Sequence, residues 1–166
     1  CDRRAMARNP SFAARGLPMI SFVDTPGFMV GPDSEKEGAF RRMGELFKHG
    51  ARIKTPLVGI ILRRGYGLGA MAMMGGSFVD PIYSASWPNG EFGGMGLEGY
   101  VKLGFKKELE AEETEEKKKA LFDKLVARMY EVGKATEAAA HLEMDAVIDP
   151  ASTREIILKA FKSFGA

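Results

Sequence analysis

Two uninterrupted apolar runs mark the first half of the chain, with a helical pattern between them. Pro18-Met19-Ile20-Ser21-Phe22-Val23 reads as a buried strand, stopped by Asp24-Thr25-Pro26-Gly27. Leu57-Val58-Gly59-Ile60-Ile61-Leu62 reads as a second, entered from Thr55-Pro56. Between them, the loop Gly31-Pro32-Asp33-Ser34 ends on a residue suited to cap a helix, with Glu35 and Glu37 in the first turn. Phe40, Met43, Leu46 and Phe47 then fall at helical spacing, which predicts one helix from Glu35 to Ile53. Strands that are apolar at every position, separated by a helix, indicate parallel pairing through a right-handed crossover.

Further on, the glycine-rich Gly65-Tyr66-Gly67-Leu68-Gly69 leads into the small apolar run Ala70 to Met74, predicted as the start of a buried helix. Phe78 to Tyr83 is predicted as a short third strand broken by Pro81. Trp87-Pro88-Asn89-Gly90 turns into Glu91-Phe92-Gly93, predicted as a fourth. The second half is helical in character. Lys106 to Lys119 alternates acids and bases and reads as exposed. From Thr114 a long helix is expected, with an apolar stripe of Leu121, Phe122, Leu125, Val126 and Met129. Ala135 to Leu142 reads as a shorter helix and Val147 to Pro150 as a brief extended piece. Thr153 to Phe164 reads as a closing helix with Ile156, Ile157, Ala160 and Phe161 inward. The expected class is α/β, one domain over 16–166 with helices at its C-terminal end, preceded by an irregular, Arg-rich start over 1–15.

Composition narrows the function classes. Lys and Arg number 24 against 22 Asp and Glu, spread along 166 residues, which lacks the clustered basic charge of a nucleic-acid footprint. No run of apolar residues is long enough for a membrane span. The single cysteine, Cys1, gives no internal disulfide and no cysteine-rich zinc site, and suits the reducing cytoplasm. Arg3, Arg4, Arg8 and Arg15 accompany no apolar signal region. An opening on Cys rather than Met points to a fragment whose upstream portion is missing.

Gly65 to Ala70 sits just after a strand and just before a helix, where unpaired backbone amides favour negative charge. Glycines there admit a ligand close to the backbone, so the loop suits a phosphate or an oxyanion formed in catalysis. Tight strand–helix packing accounts for the same glycines without a ligand. No Walker or dinucleotide pattern is present. Asp24-Thr25-Pro26-Gly27-Phe28 and Gly93-Gly94-Met95-Gly96-Leu97-Glu98-Gly99 also follow strand-like runs. Loops at the carboxyl ends of parallel strands face one crevice, so the three can converge. Asp24 and Asp80 read as turn caps, and Glu91 as an isolated acid. His49 and His141 lie in helical patterns without catalytic neighbours, and no spacing suggests a metal. A site without a side-chain nucleophile fits a reaction carried by a cofactor and backbone electrostatics.

Phe22-Val23-Asp24-Thr25-Pro26-Gly27-Phe28, then Gly31, Arg63-Arg64-Gly65-Tyr66-Gly67-Leu68-Gly69-Ala70-Met71-Ala72-Met73, Trp87-Pro88 and Gly94-Met95-Gly96 resemble the carboxyltransferase subunits of biotin-dependent acyl-CoA carboxylases. Val147-Ile148-Asp149-Pro150 with Thr153-Arg154 resembles that family's C-terminal ending, and the likeness runs from about Gly16 onward. The resemblance is to the second of the family's two crotonase-like domains and implies repeated ββα units. It further implies carboxyl transfer between carboxybiotin, borne on a partner carrier protein, and the α-carbon of an acyl-CoA, with no metal in this domain. The loop matching Gly67, Leu68, Gly69 and Ala70 is implied to supply amides near the biotin carbonyl, those of Leu68 and Gly69 above all. Removal of one such donor typically costs ~3 kcal/mol of transition-state stabilisation. Gly27, Phe28, Tyr66, Met71, Gly94, Met95 and Gly96 are implied to line the substrates, and the acyl-selecting position falls at Met71 or Ala72. Implied partners are the N-terminal carboxyltransferase domain, a biotin carboxylase with its biotin carrier, and further copies of the chain. Two other readings stand beside this one: a non-catalytic assembly remnant of the same fold, and a CoA hydratase or hydrolase, which needs an acid/base carboxylate that the sequence does not offer.

Overall fold

The computed structural model describes residues 15–165. A five-stranded sheet is built on β2 (Leu57–Tyr66), with β1 (Met19–Thr25) on one side and β3 (Tyr83–Ser86), then β5 (Ala146–Val147), on the other. The short β4 (Glu91–Gly93) pairs with the far end of β2. Every strand pairing is parallel, as expected for apolar runs separated by helices. Between β1 and β2 lie α1 (Pro32–Lys36) and α2 (Ala39–Gly50), and α3 (Gly67–Met73) follows β2 directly. After β4 come α4 (Leu97–Gly104), α5 (Lys106–Glu110), α6 (Glu115–Val132) and α7 (Ala135–Ala140), and α8 (Thr153–Ser163) closes the chain. In chain order β1 and β2 lead into α3, and β3 and β4, each paired with β2, lead into α4.

Strand β2 has no polar residue from Leu57 to Leu62 because both of its faces are covered. Alternation along a strand sends Ile60 and Ile61 to opposite sides, and both are fully buried. Ile61 joins Val23, Ala70, Met74, Phe92, Ala135, Ala138 and Met144 in one core layer. Ile60 joins Val58, Ala85, Ile148 and Ile157 in the other, with Phe161 of α8 packed against it. Gly59 leaves the space that the end of the Met74 side chain fills. We expect Ile61→Ala to lower stability by about 3 kcal/mol. The check is the midpoint of urea unfolding at constant slope; a shift worth less than about 1 kcal/mol counts against a close-packed layer.

Several elements depart from the sequence expectations. The helix expected from Glu35 to Ile53 is two helices, because Gly38 takes a left-handed conformation with φ 73° between them. Ser34 lies inside α1, whose N-cap is Gly31, so it does not cap as expected. The third strand falls at 83–86 rather than 78–83. Gly75 and Gly76, both with positive φ, lead α3 into a turn, and only past Pro81, which lacks a donor, can the chain join the β2 ladder. Strand β2 runs on through Gly65 to Tyr66, so the glycine loop begins as strand. The charged stretch after Lys106 holds the one-turn helix α5, pinned by buried Leu109. Helix α6 starts where expected: the Thr114 hydroxyl accepts from the Lys117 N–H at 3.2 Å. Its apolar stripe is half-buried. The expected irregular start over 1–15 lies, but for Arg15, outside the described residues.

Candidate active site

Because β1, β2 and β4 run parallel, their carboxyl ends open on the same side, and the segments that leave them meet. The contacts are backbone to backbone. A Cβ built on Gly69 would lie 2.9 Å from Cα of Gly27 and 3.1 Å from the Phe28 nitrogen. One built on Gly27 would lie 3.2 Å from the Tyr66 carbonyl oxygen, and one on Gly67 2.5 Å from that of Gly94. Real Cβ atoms essentially never come within 3.0 Å of such an atom and seldom within 3.4 Å, so the loops from three strands approach this closely because these positions carry no side chain. Gly67 also requires its φ of 58° to turn strand into helix.

Helix α3 begins at this meeting point. Its N-cap, Tyr66, is extended (φ −95°, ψ 127°) and no side chain caps it or places an acid in its first turn. The Tyr66 carbonyl accepts the first helical bond, from the Ala70 N–H. Among the described residues nothing outside the helix accepts from the Leu68 or Gly69 N–H. These two amides are therefore free donors, as the Gly67 N–H is by the same measure. Leu68 is 61% exposed, whereas Gly69, one residue on, is buried against the Gly27 turn. Two adjacent neutral donors with no neighbouring acid are suited to a carbonyl oxygen on which negative charge develops.

Nearby ionisable groups are committed elsewhere. The β1–β2 register slips between Val23, opposite Ile61, and Thr25, opposite Gly65. At that slip Asp24 accepts from the Arg64 backbone N–H (3.2 Å), Arg64 Nε (3.0 Å) and an Arg63 guanidinium nitrogen (3.1 Å). Partial burial works to raise the Asp24 carboxyl, but the hydrogen bonds from Arg64 and Arg63 outweigh it and hold the group below its ordinary value. Asp24 thus ties β1 to β2 and does not cap the turn that follows; the Thr25 hydroxyl does, accepting from the Gly27 N–H at 3.2 Å. Nor does Asp80 cap its turn, where the Ser77 hydroxyl accepts from the Val79 N–H. The Tyr66 hydroxyl donates to Glu91 at 2.7 Å, and burial, then that bond, pushes the phenol far above its ordinary range. His49 and His141 each donate through Nδ1 to the carbonyl one helical turn back, of Glu45 and Glu137. Among the described residues no group of three His, Cys, Asp or Glu could hold a metal ion.

The residues singled out in the sequence divide accordingly. Gly27, Phe28, Gly67, Leu68, Gly69 and Gly94 come together around the start of α3, where Phe28 rests edge-on against Phe47 at 6.5 Å between ring centres. Tyr66, expected to line the substrates, is 4% exposed and its hydroxyl donates to Glu91. Ala70 is fully buried and its amide is used within the helix, so it is not a free donor. Met71 is half-buried against the core and Ala72 is buried. Met95 reaches back to Gly99, and Gly96 caps α4, one step from the convergence. Sequence reasoning missed the parts played by Glu91, Arg63 and Arg64; a tyrosine in an apolar strand end needing a partner for its hydroxyl was the available sign.

Residues 4–164 match the carboxyl transferase domain family. The methylmalonyl-CoA carboxyltransferase 12S subunit of Propionibacterium freudenreichii subsp. shermanii is 30% identical over 149 residues, which cover 89% of this chain and 28% of that protein. The biotin-dependent acetyl-/propionyl-coenzyme A carboxylase beta6 subunit of Mycobacterium tuberculosis is 32% identical, over 89% of this chain and 31% of its own. Among solved structures, a single-chain, multi-domain long-chain acyl-CoA carboxylase superposes with TM-score 0.79 at 51% identity, covering 94% of this chain and 16% of that one. The transcarboxylase 12S hexamer superposes with TM-score 0.85 at 26% identity, covering 98% and 31%. The chain therefore spans less than a third of these relatives, and the α/β, crotonase-like architecture expected from the resemblance is the one that they share with it. Since the family match runs from residue 4 to residue 164 and takes in all three converging loops, the chain belongs to the carboxyl transferase domain family.

Proposed function

We propose that this chain is the second half of the carboxyltransferase of a biotin-dependent acyl-CoA carboxylase. Here the Leu68 and Gly69 amides hold the oxygen of the biotin ring while a carboxyl group passes between carboxybiotin and the α-carbon of an acyl-CoA. The observation that carries this is the convergence of Gly27, Gly67, Gly69 and Gly94 around a helix start with free amides and no side-chain acid. The donors suit the group: a neutral ring carbonyl is met by neutral N–H groups. Bound biotin supplies the transferable carboxyl; this chain's part is to stabilise developing charge and to orient the ring. Fixed donors in a site of low polarity do this without reorganising at the moment of reaction.

The CoA thioester is held by an N-terminal carboxyltransferase domain, the biotin arrives on a carrier associated with a biotin carboxylase, and the working form is an oligomer of the chain. The similar transcarboxylase 12S structure, which is described as a hexamer and multienzyme core with methylmalonyl-CoA bound, supports this. The test is decarboxylation of malonyl-CoA or methylmalonyl-CoA with free biotin, by the chain alone and mixed with a separately produced N-terminal half. Activity in the mixture and not in either part is the expected result. A mixture that assembles, by light scattering, yet turns over neither CoA ester sinks the catalytic reading in favour of an assembly remnant.

A further inference from the structure

The proposed donors need aim, and nothing in α3 itself supplies it. Gly67, which joins β2 to the helix, is a residue whose backbone is permissive in both halves of conformational space, and the helix has no side-chain cap. The direction of the Leu68 and Gly69 amides is set by the residue before the turn, Tyr66. Tyr66 is held at its backbone opposite Gly93 in the β2–β4 pairing, and at its far end by the 2.7 Å hydrogen bond to Glu91. Glu91 stands on a fixed post. The next residue on β4, Phe92, donates its N–H to the Gly133 carbonyl at 2.7 Å, and the Ala135 N–H donates to the Gly90 carbonyl at 3.0 Å. These two bonds pair the Glu91 backbone with that of Lys134 in an antiparallel bridge. Gly133 packs against the Phe92 carbonyl too closely for any side chain. Strand β4 is therefore anchored to the α6–α7 junction, and a buried phenol carries that anchoring across to the start of α3.

We propose that Glu91 is a positioning residue for carboxyl transfer, acting through the Tyr66 hydroxyl to fix the aim of the Leu68 and Gly69 amides. This rests on the function proposed above for those amides. Glu91 contacts the Tyr66 hydroxyl and not the amides themselves, and its effect falls on the transition state, where misplacement of a donor by a fraction of an ångström is felt most.

The test uses the enzyme assembled from this chain and its N-terminal half. Tyr66→Phe keeps the ring and deletes the hydroxyl; Glu91→Ala deletes the acceptor. Each is expected to lower kcat by about ten- to 100-fold with KM for the CoA ester within about twofold, the mark of an interaction used only in the transition state. Glu91→Gln, which keeps an accepting oxygen, is expected to return kcat to within about threefold of the unaltered enzyme. Unchanged kcat in Tyr66→Phe, or a loss that Glu91→Gln fails to recover, overturns the proposal. Leu68→Pro, measured alongside, separates the two levels. If it loses kcat while Tyr66→Phe does not, only the role of Glu91 has failed. If both are silent, the amides do not serve the reaction.

Discussion

Leu68→Pro is expected to lower kcat of the assembled enzyme about 100- to 1,000-fold, the usual effect of removing one oxyanion donor, whereas Leu68→Ala is expected to stay within about threefold. The comparison isolates a single N–H. Leu68 occupies the second position of α3, where proline breaks no bond of the helix, because that amide has no partner within it. The preceding residue is Gly67, with no Cβ to clash with the proline ring. The side chain is largely exposed, so neither change removes much packing. Both variants should therefore melt close to the unaltered protein, and kcat, measured under saturating CoA ester and biotin, is the readout. Equal kcat for the proline and alanine variants would falsify the assignment of the Leu68 amide as a donor.

The parts of this fold that sequence made legible were those decided locally. Leu57 to Leu62 contains no polar residue because it is covered on both faces, and that fact is written into the six residues themselves. The glycine clusters at 24–28, 65–69 and 93–99 marked strand ends, and the parallel direction that brings those ends together followed from the apolar character of the strands. What was not legible depended on partners far along the chain. Asp24 looks like a turn residue until β2 places Arg63 and Arg64 against it, about forty positions on. Tyr66 looks like part of a binding loop until β4 brings up Glu91. The break at Gly38 was hidden by the strength of the apolar spacing on either side of it, since a lone glycine inside a helical pattern is usually absorbed. The motif likeness reached the loop containing the free donors but not the selection within it: Ala70 and Leu68 differ only in helix position, which fixes which N–H is used internally.

Glycine to alanine at two helical positions is expected to have opposite signs. Gly44 lies within α2 with open space where a Cβ would be, so Gly44→Ala should stabilise by about 0.5–1 kcal/mol through helix propensity alone. Gly69→Ala gains the same local term, and its backbone is in no left-handed conformation that would oppose it. Its Cβ, however, would stand 2.9 Å from the Gly27 backbone and 3.1 Å from the Phe28 nitrogen. These are main-chain atoms, so no flexible side-chain end can swing aside, and either α3 or the Thr25–Phe28 turn must move by several tenths of an ångström. Overpacking of this kind costs about 1–3 kcal/mol, which exceeds the local gain, so the net expectation is a lower melting temperature for Gly69→Ala and a higher one for Gly44→Ala. The displacement also shifts the amides that are proposed to act, and an error approaching 1 Å in such a donor lowers turnover about 100-fold. Calorimetry on both variants, with kcat of the assembled enzyme, reads the two effects separately. Gly69→Ala that is stabilised like Gly44→Ala and fully active would mean that the close approach of α3 to the Gly27 turn neither holds the cleft together nor sets the position of its donors.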